Sequence, residues 1–255
     1  MKWALPTFLG LLILSLPIYI SWGTTDAVYA YGNILQVFAL VFATVSCYNT
    51  QYGFPRMDLR RRAWGRLAFG SFIWVIAQIL EWYCEAVLHL IAYGTIADCF
   101  WTIGYIVLLM GLFLTLRLQM AGLRKHLFPQ FLLLIGIYAV LFYSVILPQL
   151  LDPSQRFIEK LLDVAYPTLD FGLFTIAVLL LTIAWSMKSS LRSSVSFSVS
   201  FALLLYADFI LGVVTDFNSP LYISIDLFYF TSYFLLGMAG NAQLQAVQKA
   251  RKAKT

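Results

Sequence analysis

The chain has 255 residues, of which 61% are hydrophobic and 11% charged, whereas an ordinary soluble domain has about a quarter of its residues charged. That balance argues against water as the main solvent. The formal net charge of +5 does not indicate a nucleic-acid partner, because the basic residues alternate with position along the chain instead of forming one basic surface.

A helix that crosses the hydrocarbon core needs about 20 mainly apolar residues, and eight such stretches follow one another. The first, 3–22, comes after Lys2. With Val28-Tyr29-Ala30 beyond it, it imitates a secretory signal and cleavage site, but the run is long for that and is read as a helix. The second, 28–48, is followed by Arg56, Arg60, Arg61, Arg62 and Arg66. The third, 66–88, carries Gln78, Glu81, Glu85 and His89 at spacings of three, four and four, which places them on one helical stripe. The fourth, 95–117, opens near Asp98, contains Trp101 and Tyr105, and is followed by Arg117, Arg124 and Lys125. The fifth is 127–149. The sixth, 165–187, begins near Asp170 and precedes Lys188 and Arg192. The seventh, 196–216, holds Asp208 and Asp216, and the eighth, 222–244, holds Asp226 and Tyr233. From Gly240 onward the eighth helix is read as continuing into a basic tail with Lys249, Arg251, Lys252 and Lys254.

Of the 17 Lys and Arg residues only Arg156 and Lys160 fall in the alternate set of connections, so 15 share one side. By the positive-inside rule that side is cytoplasmic. The expectation is an all-α integral membrane protein of about eight transmembrane helices in the inner (plasma) membrane, with both termini cytoplasmic. Residues 1–244 form a single bundle in contact with lipid, and 245–255 a cytoplasmic tail.

A faint internal repeat divides the bundle into 1–122 and 123–244. Leu5-Pro6-Thr7-Phe8-Leu9 opens one half and Phe128-Pro129-Gln130-Phe131-Leu132 the other. Asp98 precedes Tyr105 by seven residues, as Asp226 precedes Tyr233, and Glu81 and Asp208 lie 17 and 18 residues before these aspartates. Four helices per copy make a parallel 4+4 repeat, an arrangement in which a ligand site can lie between the halves.

Carboxylates inside a membrane are expensive, at least ~2.5 to 3.5 kcal/mol each at the centre on insertion scales, and so require a reason. Helix direction places Glu81, Glu85, Asp98, Asp170, Asp208 and Asp226 in the outer half, with Asp98, Asp170, Asp216 and Asp226 near the external interface. There a carboxylate can also serve as a cap or reach water. Trp74, Trp82, Trp101, Tyr105, Tyr206 and Tyr233 lie close to the acids in sequence. Carboxylates with aromatic walls suit a cation, a proton, or a small amine-bearing or polyhydroxyl ligand. The tryptophans and tyrosines equally suit interfacial anchoring or packing.

Cys47, Cys84 and Cys99 have no metal-site spacing. Packing is the first reading for them, and a Cys84–Cys99 disulfide on the outer side the second. The late helices have no lysine to hold a retinal Schiff base. His89 and His126 lie towards opposite faces, unlike a haem pair, and no phosphate loop, nucleophile elbow or zinc-helix motif is present. No cofactor is identified, no metal site is expected, and the chain is read as a non-enzyme.

Trp74 with Glu81-Trp82, Ala97-Asp98 with Tyr105, Tyr166-Pro167 with Asp170, Tyr206-Ala207-Asp208, and Asp226 with Tyr233 together resemble the eight-helix N-terminal membrane module of some bacterial diguanylate cyclases and sensor histidine kinases. The likeness covers about 70–240. It implies a membrane sensor whose last helix passes a signal to a cytoplasmic output domain. No cyclase, kinase or PAS-like segment follows in this sequence, so the signal is expected to reach a membrane or cytoplasmic protein partner or a second copy of the chain. The alternatives are an accessory subunit of a larger membrane complex and an ion or proton transporter.

Overall fold

The computed structural model describes residues 4–22, 26–89, 94–120, 124–153, 156–187, 191–213 and 220–253, and these are almost entirely helical. In chain order the helices are α1 (Ala4–Trp22), α2 (Asp26–Gln51), α3 (Leu59–Ala86), α4 (Ile96–Gln119) and α5 (Arg124–Leu141). A single π turn (Phe142–Ile146) joins α5 to the short α6 (Leu147–Leu151), and α7 (Phe157–Met187), α8 (Leu191–Val213) and α9 (Pro220–Lys252) follow.

Among the described residues, six helical segments are long and apolar enough to cross a membrane: Asp26–Gln51, Leu59–Ala86, Ile96–Gln119, Phe128–Leu151, Phe157–Met187 and Leu191–Leu211. The first expected stretch falls on α1, whose apolar run, Pro6–Tyr19, is shorter. The eighth falls on α9, which runs unbroken into the basic tail, as its sequence suggests.

Local chemistry explains several boundaries. Asp58 caps α3 by accepting the backbone N–H of Arg60 at 2.8 Å, which satisfies one of the orphan donors of the first turn. The Arg60 guanidinium pairs with the same carboxylate at 2.7 Å. Its hydrogen bonds, reinforced by the backbone N–H, hold Asp58 below the usual carboxylate range. At the start of α4, Asp98 accepts the backbone N–H groups of Thr95 at 2.8 Å and Gly94 at 2.9 Å. The π turn leads directly into Pro148, which has no N–H for the carbonyl four residues back and crowds it sterically. A widened turn accommodates both effects.

Helices α2, α3, α4, α7, α8 and α9 pack in cyclic order, each on the next, and α9 closes on α2. α1 lies against α9 and α2, and α5 and α6 against α7. The interior is filled by Leu40, Leu67, Leu108, Leu112, Leu180, Phe230 and Phe234, all essentially inaccessible. Large apolar side chains such as Phe69, Ile103, Phe113 and Val199 face outward, a surface suited to hydrocarbon and costly in water. Small residues allow close helix contacts where lipid offers no hydrophobic drive to associate. A Cβ at Gly240 on α9 would lie 3.1 Å from the backbone nitrogen of Cys47 on α2. The Thr50 hydroxyl reaches across the same contact to the Gly240 carbonyl at 2.8 Å.

Candidate functional site

The acids lie at one end of the ring. Glu81 is near the C-terminal end of α3, Asp98 in the first turn of α4, Asp208 in the C-terminal half of α8, and Asp226 in the second turn of α9. Asp170 differs from expectation. α7 begins at Phe157, well before the expected start at 165, so Asp170 lies 13 residues into the helix, roughly 20 Å along it. It is 0% exposed. The reading of Asp170 as an interfacial cap is therefore corrected, whereas Asp98 does serve as a cap.

Each acid meets side chains from neighbouring helices. The Trp101 indole N–H donates to Glu81 at 2.8 Å. The Tyr166 hydroxyl from α7 donates to the second oxygen of Asp98. Asp226 accepts from Gln36 of α2 at 2.9 Å and from the Tyr19 hydroxyl of α1 at 3.2 Å. It has room to do so because α2 carries Gly32 at that level, where a Cβ would come within 2.5 Å of the carboxylate. Asp208 accepts from the hydroxyls of Tyr229 and Tyr105, the latter at 3.4 Å. Asp170 lies beside Asp208 and Tyr105, yet neither of its oxygens has a hydrogen-bond partner.

Aromatic rings from α3, α4, α7 and α9 fill the space between these groups. Trp74 meets Tyr105 edge-on at 4.8 Å and Tyr233 at 5.7 Å, and Tyr233 stacks on Trp101 at 6.4 Å and Tyr229 at 6.1 Å. Tyr166 completes the wall against Tyr105 at 5.9 Å. The Trp74 N–H is used by the carbonyl of Trp101 at 3.2 Å. Gln78 donates to Asn33 of α2 at 2.9 Å, which extends the polar layer across the α2–α3 contact.

Several expected members lie elsewhere. The α3 stripe ends before His89, since the helix stops at Ala86 and His89, with φ of 50°, is exposed beyond it. Tyr206 is 45% exposed and packs edge-on against Phe228 on the outer side of the bundle. Glu85 is half-buried and lies within the field of Asp226. Trp82 is half-buried and, among the described residues, has no hydrogen bond or ring contact with the cluster. Asp216 lies outside the described residues. Cys84 and Cys99 are both free, the first buried and the second exposed.

Sequence reading did not name Tyr19, Gln36 or Tyr229 as site residues. Tyr229 follows Asp226 by three residues, as Trp101 follows Asp98, and in each pair this residue donates to the acid of the preceding helix. The alignment of the two halves sets Tyr229 opposite Trp101, and that was the signal for it. Gln36 and Tyr19 have no such signal.

Among the described residues no Lys, Arg or His contacts these acids, and no three of the Asp, Glu, His and Cys side chains are grouped to hold a metal ion. A separate cavity of about 500 Å³ lies at the opposite, basic end, walled by Trp64 and Phe197 and edged by Arg60, Gln119 and Gln243. Compared with family models, curated proteins and solved structures, the chain matches none.

Proposed function

We propose that the chain is a membrane-embedded sensory or ligand-binding module, not an enzyme, whose site is a chamber formed at the acidic, aromatic-lined cluster in the outer half of the bundle. The observation that carries this reading is the gathering of Glu81, Asp98, Asp170, Asp208 and Asp226 at one end, linked to rings from four helices and, among the described residues, facing no cationic side chain. Acids within a membrane bundle without a countercharge are costly, and a small cation or amine entering from outside would supply the missing charge and find aromatic faces to rest on.

The membrane reading draws on the six apolar helices and the outward apolar side chains. The basic turns favour a cytoplasmic placement of both termini in an inner membrane. Adding α1 and α9 to these six, one of which is the span formed by α5, the π turn and α6, gives eight crossings. The 4+4 repeat is supported by the ring, in which α3 pairs with α4 as α8 does with α9, and by the matching Trp101–Glu81 and Tyr229–Asp208 contacts. Such an architecture is what the resemblance to cyclase and kinase membrane modules implies. On this reading ligand binding shifts the bundle between two arrangements through differential affinity, and α9 carries the change to a protein partner.

The test is thermal unfolding of the purified chain in detergent with sodium, potassium or ethylammonium chloride or a polyol, against choline chloride at equal ionic strength. A ligand that binds the folded state adds about 2.7 kcal/mol at a hundredfold excess over Kd. One solute is expected to stabilise the protein saturably, and Glu81→Gln with Asp208→Asn to abolish the effect. Equal stabilisation of the double variant would remove the chamber as the site.

A further inference from the structure

The hydrogen bonds around Asp170 and Asp208 are unequal. Asp208, on α8, receives two phenolic donors, Tyr229 from α9 and Tyr105 from α4. Asp170, on α7, is completely buried beside both Asp208 and the Tyr105 hydroxyl, yet neither of its oxygens meets a partner in hydrogen-bond geometry. The other titratable groups facing the pair are Tyr233 from α9, whose hydroxyl feels both aspartates, and, farther off, Glu81 from α3 and Asp98 from α4, both acidic. Tyr166 on α7 is directed to Asp98. None of these groups brings positive charge.

An ionised carboxylate removed from water must be compensated by donors or a countercharge. Two adjacent carboxylates in such a place cannot both ionise, and one retains a proton. Asp208 has the donors that an anion needs. Asp170 has only the Tyr105 hydroxyl nearby and no bond in good geometry, and with no accessible surface it offers no room in this arrangement for a hydrated ion or an amine.

We infer that Asp170 and Asp208 form a proton-binding pair that holds one proton at neutral pH, carried on Asp170. This inference rests on the chamber reading above and deepens it. The proton is the resident ligand of the site, and a cation that enters must displace it, so occupancy of the chamber is coupled to proton release.

The experiment is infrared spectroscopy of the full chain in detergent, in H2O and D2O, read at the carbonyl stretch of protonated carboxylic acids. The wild type is expected to show at neutral pH an acid band that shifts in D2O and fades as pH rises. Asp170→Asn should remove one component of that band, and Asp208→Asn should leave that component in place with its frequency moved. Persistence of the whole band in Asp170→Asn would overturn the inference, as would loss of the component in Asp208→Asn alone. The wild-type titration decides even if a variant does not fold, because absence of any acid band at neutral pH overturns the proposal. The two readings fail separately. An acid band assigned to Asp170 without stabilisation by any solute keeps the proton site and removes the ligand chamber, and stabilisation without the band does the reverse.

Discussion

At the scale of single residues, what distinguishes this bundle is how each half-buried acid of the cluster is supplied with donors. Glu81 depends on one indole N–H, Asp226 on an amide and a phenol, and Asp98 on its own helix start and a tyrosine. Removing a donor leaves a buried acceptor unsatisfied, at a cost of about 1–3 kcal/mol. Trp101→Phe should therefore lower stability by an amount in that range, measured by thermal unfolding in detergent. In a Glu81→Leu background the same change should cost clearly less, because the acceptor is gone and the two effects are coupled. Equal costs in both backgrounds would show that Trp101 acts through packing alone.

Between elements, the decisive features are close approaches made possible by small residues. α9 meets α2 at Gly240, where a side chain would run into the backbone of Ser46 and Cys47 at 3.1 Å, and backbone does not yield as a flexible side chain can. Gly240→Leu must push the helices apart and break the Thr50 hydrogen bond to the Gly240 carbonyl. Overpacking of this kind costs about 1–3 kcal/mol. Gly136 on α5 has nothing within 4 Å of a built Cβ, so Gly136→Leu is the control. A lowered unfolding temperature is expected for the first variant only, and equal behaviour of the two would refute the α2–α9 contact.

For the whole molecule the charges form an axis, with exposed basic residues such as Arg56, Arg117 and Lys249 at one end and the acid cluster at the other. The proposed orientation predicts accessibility to a membrane-impermeant maleimide. Cys99 is exposed at the acid end and should label in intact cells. In a Cys99→Ser background, Met57→Cys, at a position 87% exposed in the basic turn, should label only after permeabilisation. The reverse pattern would invert the topology.

The helices could be read from the sequence because each records the length and polarity of its own segment: apolar runs between basic turns, and the acid three residues into α4. The pairing of Glu81 with Trp101 and of Asp208 with Tyr229 was half visible in the spacing of the two halves. Tertiary structure alone decided the rest. Whether Asp170 is a cap or a buried acid depends on where α7 begins and on what α4 and α8 place beside it. Gln36 and Tyr19 reach Asp226 because α1 and α2 pack on a helix about 200 residues away, and Tyr206 turns outward because its side of α8 faces away from the ring. Local sequence fixes what a residue needs, a donor, a countercharge or an apolar surface, but only packing between distant helices determines whether that need is met.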